Sequence, residues 1–248
     1  METQQLIAFG LLAFVAEVLG TIGGFGSSVF FVPIAGMFFD FHSVLGITAL
    51  FHVFSNTSKI ALFRKGINKQ LLIFLGIPAV LFVILGAWLS SRIDTHWLTI
   101  ALAIFLVVIS VVLYVYPGLR LNANNVNAIT GGAISGFVAG LVGTGGAIRG
   151  ITLSAFGLTK DAFVATSAFI DFGVDFSRAI VYWYNGYVHR HDMYVLPVLL
   201  VASILGTYSG KLLLEHVSED RFKKIVLVVI FFTGIFTLIK AMGWVFWF

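Results

Sequence analysis

The chain has 248 residues, 59% hydrophobic, 15% aromatic and 10% charged, with 15 Lys and Arg against 11 Asp and Glu. An ordinary soluble domain is about 25% charged, so a mean hydropathy of +1.03 excludes a soluble enzyme and a nucleic-acid binder: that much apolar surface in water would cost about 25 cal/mol per Å². The pI near 9.4 then bears on membrane orientation, which Lys and Arg set, and the lack of cysteine removes disulfides, thiolate nucleophiles and thiolate metal sites.

Eight apolar blocks follow one another, measured against the roughly 20 residues that cross a hydrocarbon core. The first runs over about 6–39 and is too long for one span. Blocks over 44–63, 71–90 and 97–116 come next. The fifth, 128–156, is again long, and is followed by 162–182, 195–214 and 225–244. Short polar joints separate them: Arg64-Lys65-Gly66, Ser91-Arg92-Ile93-Asp94, the Asn-rich stretch 122–127, Thr159-Lys160-Asp161, His189-Arg190-His191-Asp192 and the charged stretch 218–224. None has the length of a soluble domain, and no strand-like alternation recurs to suggest a barrel. The opening Met1-Glu2-Thr3-Gln4-Gln5 lacks the basic start of a signal peptide, so the first block is read as part of the mature protein. The closing Trp244-Val245-Phe246-Trp247-Phe248 reads as an interfacial aromatic anchor.

The two long blocks are interrupted, the first at Gly20-Thr21-Ile22-Gly23-Gly24-Phe25-Gly26 and the fifth at Gly140-Leu141-Val142-Gly143-Thr144-Gly145-Gly146. Glycine weakens a helix interior, and irregular backbone at membrane depth persists only where protein or a watery cavity covers it. A shift of 119 residues lays one interruption on the other, Gly24 on Gly143 and Gly26 on Gly145. It also places Asn56 on Asp175, Ser58 on Ser177, Lys59 on Arg178 and Pro78 on Pro197. After one extra residue, Leu85-Gly86 meets Leu205-Gly206 and His96 meets His216. The expectation is a duplicated chain, with 1–121 the first repeat and 122–248 the second, together one integral membrane domain. Matched interruptions in duplicated halves point to a secondary-transporter site.

Charge chooses between topologies. If all eight blocks cross, the joints on the two sides carry five and six basic residues, and no orientation follows. If the first and fifth blocks are re-entrant hairpins, one side holds Arg64, Lys65, Lys69, Arg120, Lys160, Lys211, Arg221, Lys223 and Lys224, and the other keeps Arg92 and Arg190. The positive-inside rule favours the hairpins. Each half then makes three crossings, so the halves are inverted and both termini lie outside the cytoplasm. The expected fold is an all-α polytopic membrane protein with two inverted repeats, each a broken or re-entrant helix hairpin plus three transmembrane helices, in the inner or plasma membrane.

The interruptions are the candidate substrate site. Gly23, Gly24, Gly26, Ser27 and Ser28 lead into one half-helix, and Gly143, Thr144, Gly145 and Gly146 into the other. Free N–H groups at such starts, with the positive end of the helix dipole, attract an anion; Ser27, Ser28 and Thr144 add hydroxyl donors. Arg149, in the turn after the second interruption, calls for an anionic partner or a wet cavity. Close packing through small residues is the competing reading of the glycines. A nucleotide phosphate loop does not fit, since no Gly-Lys-Ser/Thr follows. A second group, Asn56 and Lys59 with Asp171, Asp175 and Arg178, is assigned to the anion pathway or to coupling. Snorkelling to the headgroups competes for Lys59 and Arg178. Asp171 and Asp175 share a helix face, and Arg178 is placed to pair with Asp175, as a structural ion pair or a proton relay. Glu17, an intramembrane carboxylate just before the first interruption, suggests proton coupling. His42, His52 and His96 read as interface or core residues. No spacing suggests a metal site, no residue is assigned a catalytic role, and no cofactor is expected.

Gly23-Gly24-Phe25-Gly26 leading to Pro33, Gly140-Leu141-Val142-Gly143-Thr144-Gly145-Gly146, and the repeated four-block layout resemble the TauE/SafE sulfite-exporter family of membrane transporters over essentially the whole chain. Thr152 stands where the counterpart of Pro33 would fall. The resemblance implies a secondary carrier of small sulfur-containing anions such as sulfite or organosulfonates. The expected partners are that anion, the lipid bilayer and a coupling proton or ion, with no nucleic acid. An anion-selective channel built from the same glycines and cations is the alternative.

Overall fold

A computed structural model describes residues 2–23, 26–63, 66–116, 119, 121–214 and 219–243. Among them every regular element is helical. Helices α1 (Thr3–Gly23) and α2 (Ser28–Ala35) occupy the first apolar block and α3 (Phe41–Leu62) the second. A short α4 (Lys69–Leu71) runs through a wide π-helical turn, Leu72–Gly76, into α5 (Ile77–Ser90), and α6 is Thr95–Val115. The fifth block holds α7 (Asn125–Val142) and α8 (Gly146–Ser154). It is followed by α9 (Lys160–Tyr184), a 3-10 turn Arg190–Val195 leading into α10 (Leu196–Leu214), and α11 (Glu219–Ala241).

The polar joints are helix starters. Asp40 accepts from the backbone N–H of His42 and Ser43, Asn68 from Leu71, Asp94 from His96, Asn124 from Asn127 and Thr159 from Ala162. Each satisfies donors that a first helical turn leaves open. Among the described residues, five segments are long and apolar enough to cross a membrane: Thr3–Gly23, Lys69–Ser90, Thr95–Val115, Asn125–Val142 and Arg190–Leu214. The chain is a multi-pass, all-α membrane protein. Along the π-helical turn and α5, Leu75, Ala79, Val83 and Ala87 are buried while Ile77, Leu81, Leu85 and Trp88 are exposed. Both faces are apolar, as a helix between protein and lipid requires. Helices α3 and α9 are as long, at 22 and 25 residues, but fall outside the five, because each carries a buried polar stripe: His52, Ser55, Asn56 and Lys59 on α3, and Thr166, Asp175 and Arg178 on α9.

Both interrupted blocks double back. Phe38 and Phe39, beyond α2, pack edge-on against Phe9 near the start of α1, with ring centroids 5.2 and 5.4 Å away. In the fifth block Thr152 of α8 returns to Gly131 of α7, where an added Cβ would overlap its hydroxyl. With eight and nine residues, the returning arms α2 and α8 are too short to span. Packing follows a pattern that survives exchange of the halves. Helix α1 lies on α10 as α7 lies on α5, α3 packs on α9, α6 on α11 and α2 on α8. The α5–α7 contact is backbone to backbone: a Cβ on Gly132, Gly136 or Gly140 would overlap the carbonyl of Leu75, Ala79 or Val83 respectively. Gly140, part of the second interruption motif, therefore serves helix packing.

Candidate functional site

The two turns are made by glycines in the left-handed region, Gly26 at φ +77° and Gly143 at φ +84°, a conformation other residues adopt at a cost. They bring the starts of α2 and α8 together. Ser28 Oγ lies 3.0 Å from Thr144 Oγ1, and a Cβ on Gly26 would stand 3.9 Å from both Gly146 Cα and Arg149 Nη2. No side chain caps either helix, so first-turn N–H groups stay open to a ligand. Beneath the two starts lies a cavity whose free space, traced by the centre of a water-sized sphere, is about 20 Å³, enough for a water molecule.

Of the sixteen residues expected in the site or its pathway, twelve line this cavity: Gly26, Ser27, Ser28, Asn56, Lys59, Gly143, Gly145, Gly146, Arg149, Asp171, Asp175 and Arg178. Gly23 is the buried last residue of α1, and Thr144 stands behind Ser28. Glu17 lies one hydrogen bond behind the lining. Gly24 lies outside the described residues.

Three buried ion pairs surround the cavity, and each cation has a distinct task. Glu17, fully buried, pairs with Lys59 Nζ at 2.7 Å. Its carboxylate also accepts from the hydroxyls of Ser27 (2.5 Å), Ser55 (2.6 Å), Thr207 (3.1 Å) and Thr21 (3.2 Å). This web ties α1, the α2 start, α3 and α10 to one anion. Lys59 also donates to Ser55 Oγ at 2.9 Å. Lys59 is thus turned inward and not snorkelled, because the desolvation cost of a buried charge is offset only by a close partner and further hydrogen bonds.

Arg178 Nη2 pairs with Asp175 at 2.7 Å, the i,i+3 pairing expected from the spacing. Its Nη1 donates to the carbonyls of Ala139 (3.0 Å) and Gly143 (2.8 Å), and Tyr182 donates to that of Gly140 (2.6 Å). These carbonyls lie at the α7 terminus, where a cation also complements the helix dipole. Asn56 donates to Asp175 Oδ2 at 2.7 Å, so residues 119 apart in the chain, aligned as repeat counterparts, touch. Arg149 pairs with Asp171, and its Nε reaches Ser167 Oγ at 3.4 Å. With Asp171 side-chain exposure at 14%, this is the most open carboxylate of the three, against 0% for Glu17 and 7% for Asp175.

Reading the residues as two separate groups missed that α3 and α9 pack together and bring Lys59 and Arg178 to one cavity. It also missed His52, a lining residue 4% exposed, and the hydroxyls gathered on Glu17. A signal for His52 was present. Residues 52, 56 and 59 lie on one helix face, and the 119-residue shift places His52 on Asp171.

The family model for the sulfite exporter TauE/SafE family matches residues 9–237. No curated protein and no solved structure matches. The match covers more than nine-tenths of the chain, which belongs to the TauE/SafE sulfite exporter family.

Proposed function

From that membership we propose that the chain is a secondary transporter of small sulfur-containing anions, of the sulfite or organosulfonate class, working by alternating access. The observation that carries the reading is the meeting of two uncapped helix starts, the Ser28 and Thr144 hydroxyls and Arg149 over one buried cavity. Backbone N–H groups and helix dipoles favour negative charge there, and Arg149 supplies a planar donor fork suited to an oxyanion. The anion displaces Asp171 from Arg149 as it binds. The present cavity has room for about one water molecule, whereas sulfite has four heavy atoms, so the hairpins must part to admit it. A cavity this small between two helix-start clamps suits a carrier better than an anion-selective channel.

The two halves, 1–121 and 122–248, are read as inverted repeats, and one rocks against the other. The symmetric packing of their helices supports this. Glu17, with Lys59 and the hydroxyls around it, is assigned to coupling by a proton. The test is uptake of labelled sulfite into proteoliposomes. Wild type should saturate with concentration. Arg149→Ala should lose at least about tenfold in uptake, the worth of one charge-assisted hydrogen bond, while its elution profile in detergent stays that of wild type. Uptake that rises without saturation would favour the channel; an Arg149→Ala protein transporting like wild type would remove Arg149 from the site.

A further inference from the structure

We propose that His52 reads the protonation state of the bound anion: its Nε2 accepts a hydrogen bond from an O–H on the substrate, so the site takes a singly protonated oxyanion of the hydrogensulfite type ahead of a sulfonate, which has no such proton. The inference rests on the transport reading and adds the substrate's own proton to it.

The hydrogens around Ser27 fix the tautomer of the ring. Ser27 has one hydroxyl proton and two neighbours: Glu17 Oε2 at 2.5 Å and His52 Nδ1 at 3.3 Å. A hydrogen bond to a charged oxygen is shorter and roughly twice as strong as a neutral one, so the proton goes to Glu17. Ser27 Oγ is then left with lone pairs toward the ring, and Nδ1 must be the donor. A neutral imidazole carries one proton, so Nε2 is an acceptor. His52 lines the cavity, and its Nε2, itself buried, has no hydrogen-bond partner among the described residues. Buried polar atoms are normally satisfied; here the missing donor is a ligand.

Charged groups surround the ring, and they are paired with one another. Glu17 faces it from α1, Arg149 from α8, and Asp171, Asp175 and Arg178 from α9, with Lys59 on its own helix; these six form three ion pairs. The carboxylates that line the cavity are occupied, Asp171 by Arg149 and Ser167, and Asp175 by Arg178 and Asn56. His52 therefore adds an acceptor to a site otherwise rich in donors. A fully deprotonated anion would set its lone pairs against that of Nε2, and a protonated one would satisfy it.

The experiment compares binding of sulfite, at a pH where it is mostly singly protonated, with binding of methanesulfonate at the same pH, by calorimetry on the purified protein. Wild type should prefer sulfite by about tenfold, as one added hydrogen bond allows. His52→Phe should bring the two affinities within about twofold while methanesulfonate still binds, and His52→Gln, which offers a carbonyl acceptor, should restore part of the preference. Ser27→Ala, which releases Nδ1, should weaken the preference even if His52→Phe fails to fold. An undiminished preference in a folded His52→Phe protein, or equal binding of both anions by wild type, would overturn the inference alone. Wild type binding neither anion would overturn the transport reading with it.

Discussion

The two interrupted hairpins are tied down by opposite charges. In the first, a buried anion does it: Glu17 gathers Lys59 and the hydroxyls of Thr21, Ser27, Ser55 and Thr207. In the second, a buried cation does it: Arg178, with Tyr182, gathers the carbonyls that end α7. The aligned partners Lys59 and Arg178 thus have different work. One serves a carboxylate that has no counterpart, since the 119-residue shift places Glu17 on Gly136; the other serves helix backbone. The difference separates scaffold from site. All three pairs carry further hydrogen bonds, but Asp171 is the most exposed of the three carboxylates, which fits the exchange proposed for it.

The largest expected effect tests that separation. Glu17→Ala leaves Lys59 buried without its partner and should lower stability by about 3–5 kcal/mol, the cost of breaking a buried pair from one side. Asp171→Asn removes the partly exposed carboxylate of the Arg149 pair. It should lower stability by less than Glu17→Ala does, because the amide oxygen still offers Arg149 an acceptor, and should tighten anion binding by freeing the Arg149 charge. Thermal unfolding in detergent with and without sulfite measures both. If the two variants melted alike, the division into scaffold and site would fail.

Much of this arrangement was legible in the chain. The eight apolar blocks and the two interruptions are local signals, and the blocks fall on helices. The Asp175–Arg178 pair lies within one helical turn, and the need of Arg149 for an anionic partner followed from its surroundings. What stayed hidden is long-range. Lys59 and Thr207 reach Glu17 from 42 and 190 residues away, and no spacing announces that. His52 read as a core residue because its type is common there; only the facing of α3 against α9 puts its ring in a cavity wall.

The two left-handed glycines sharpen the comparison at smaller amplitude. An alanine at φ near +80° costs about 1–2 kcal/mol from backbone sterics alone. At Gly26 the nearest atom to the new Cβ is Ser28 Oγ at 3.8 Å, so Gly26→Ala should cost little beyond that. At Gly143 the new methyl would stand 2.8 Å from Leu45 Cδ2 and 3.1 Å from Val32 Cγ2, and overpacking adds about 1–3 kcal/mol. Gly143→Ala should therefore lower the melting temperature clearly more than Gly26→Ala. Equal shifts would mean that the second hairpin yields as easily as the first.

Tyr182 gives the finest test, because its counterpart 119 residues earlier is Phe63, which the chain itself built without the hydroxyl. Both rings are buried, at 0% and 3% exposure, so packing is matched and the hydroxyl bond to Gly140 is the difference. Tyr182→Phe makes the second half resemble the first at this position. It leaves the Gly140 carbonyl without that donor, while Arg178 still holds Ala139 and Gly143. The expected loss is about 1 kcal/mol, the net worth of an ordinary buried hydrogen bond, with sulfite affinity unchanged because Tyr182 stands behind the cavity wall. A drop in affinity at constant stability would instead place the α7 terminus in the substrate's path, and the cation that ends that helix would then have to be counted with Arg149 as part of the anion's cradle.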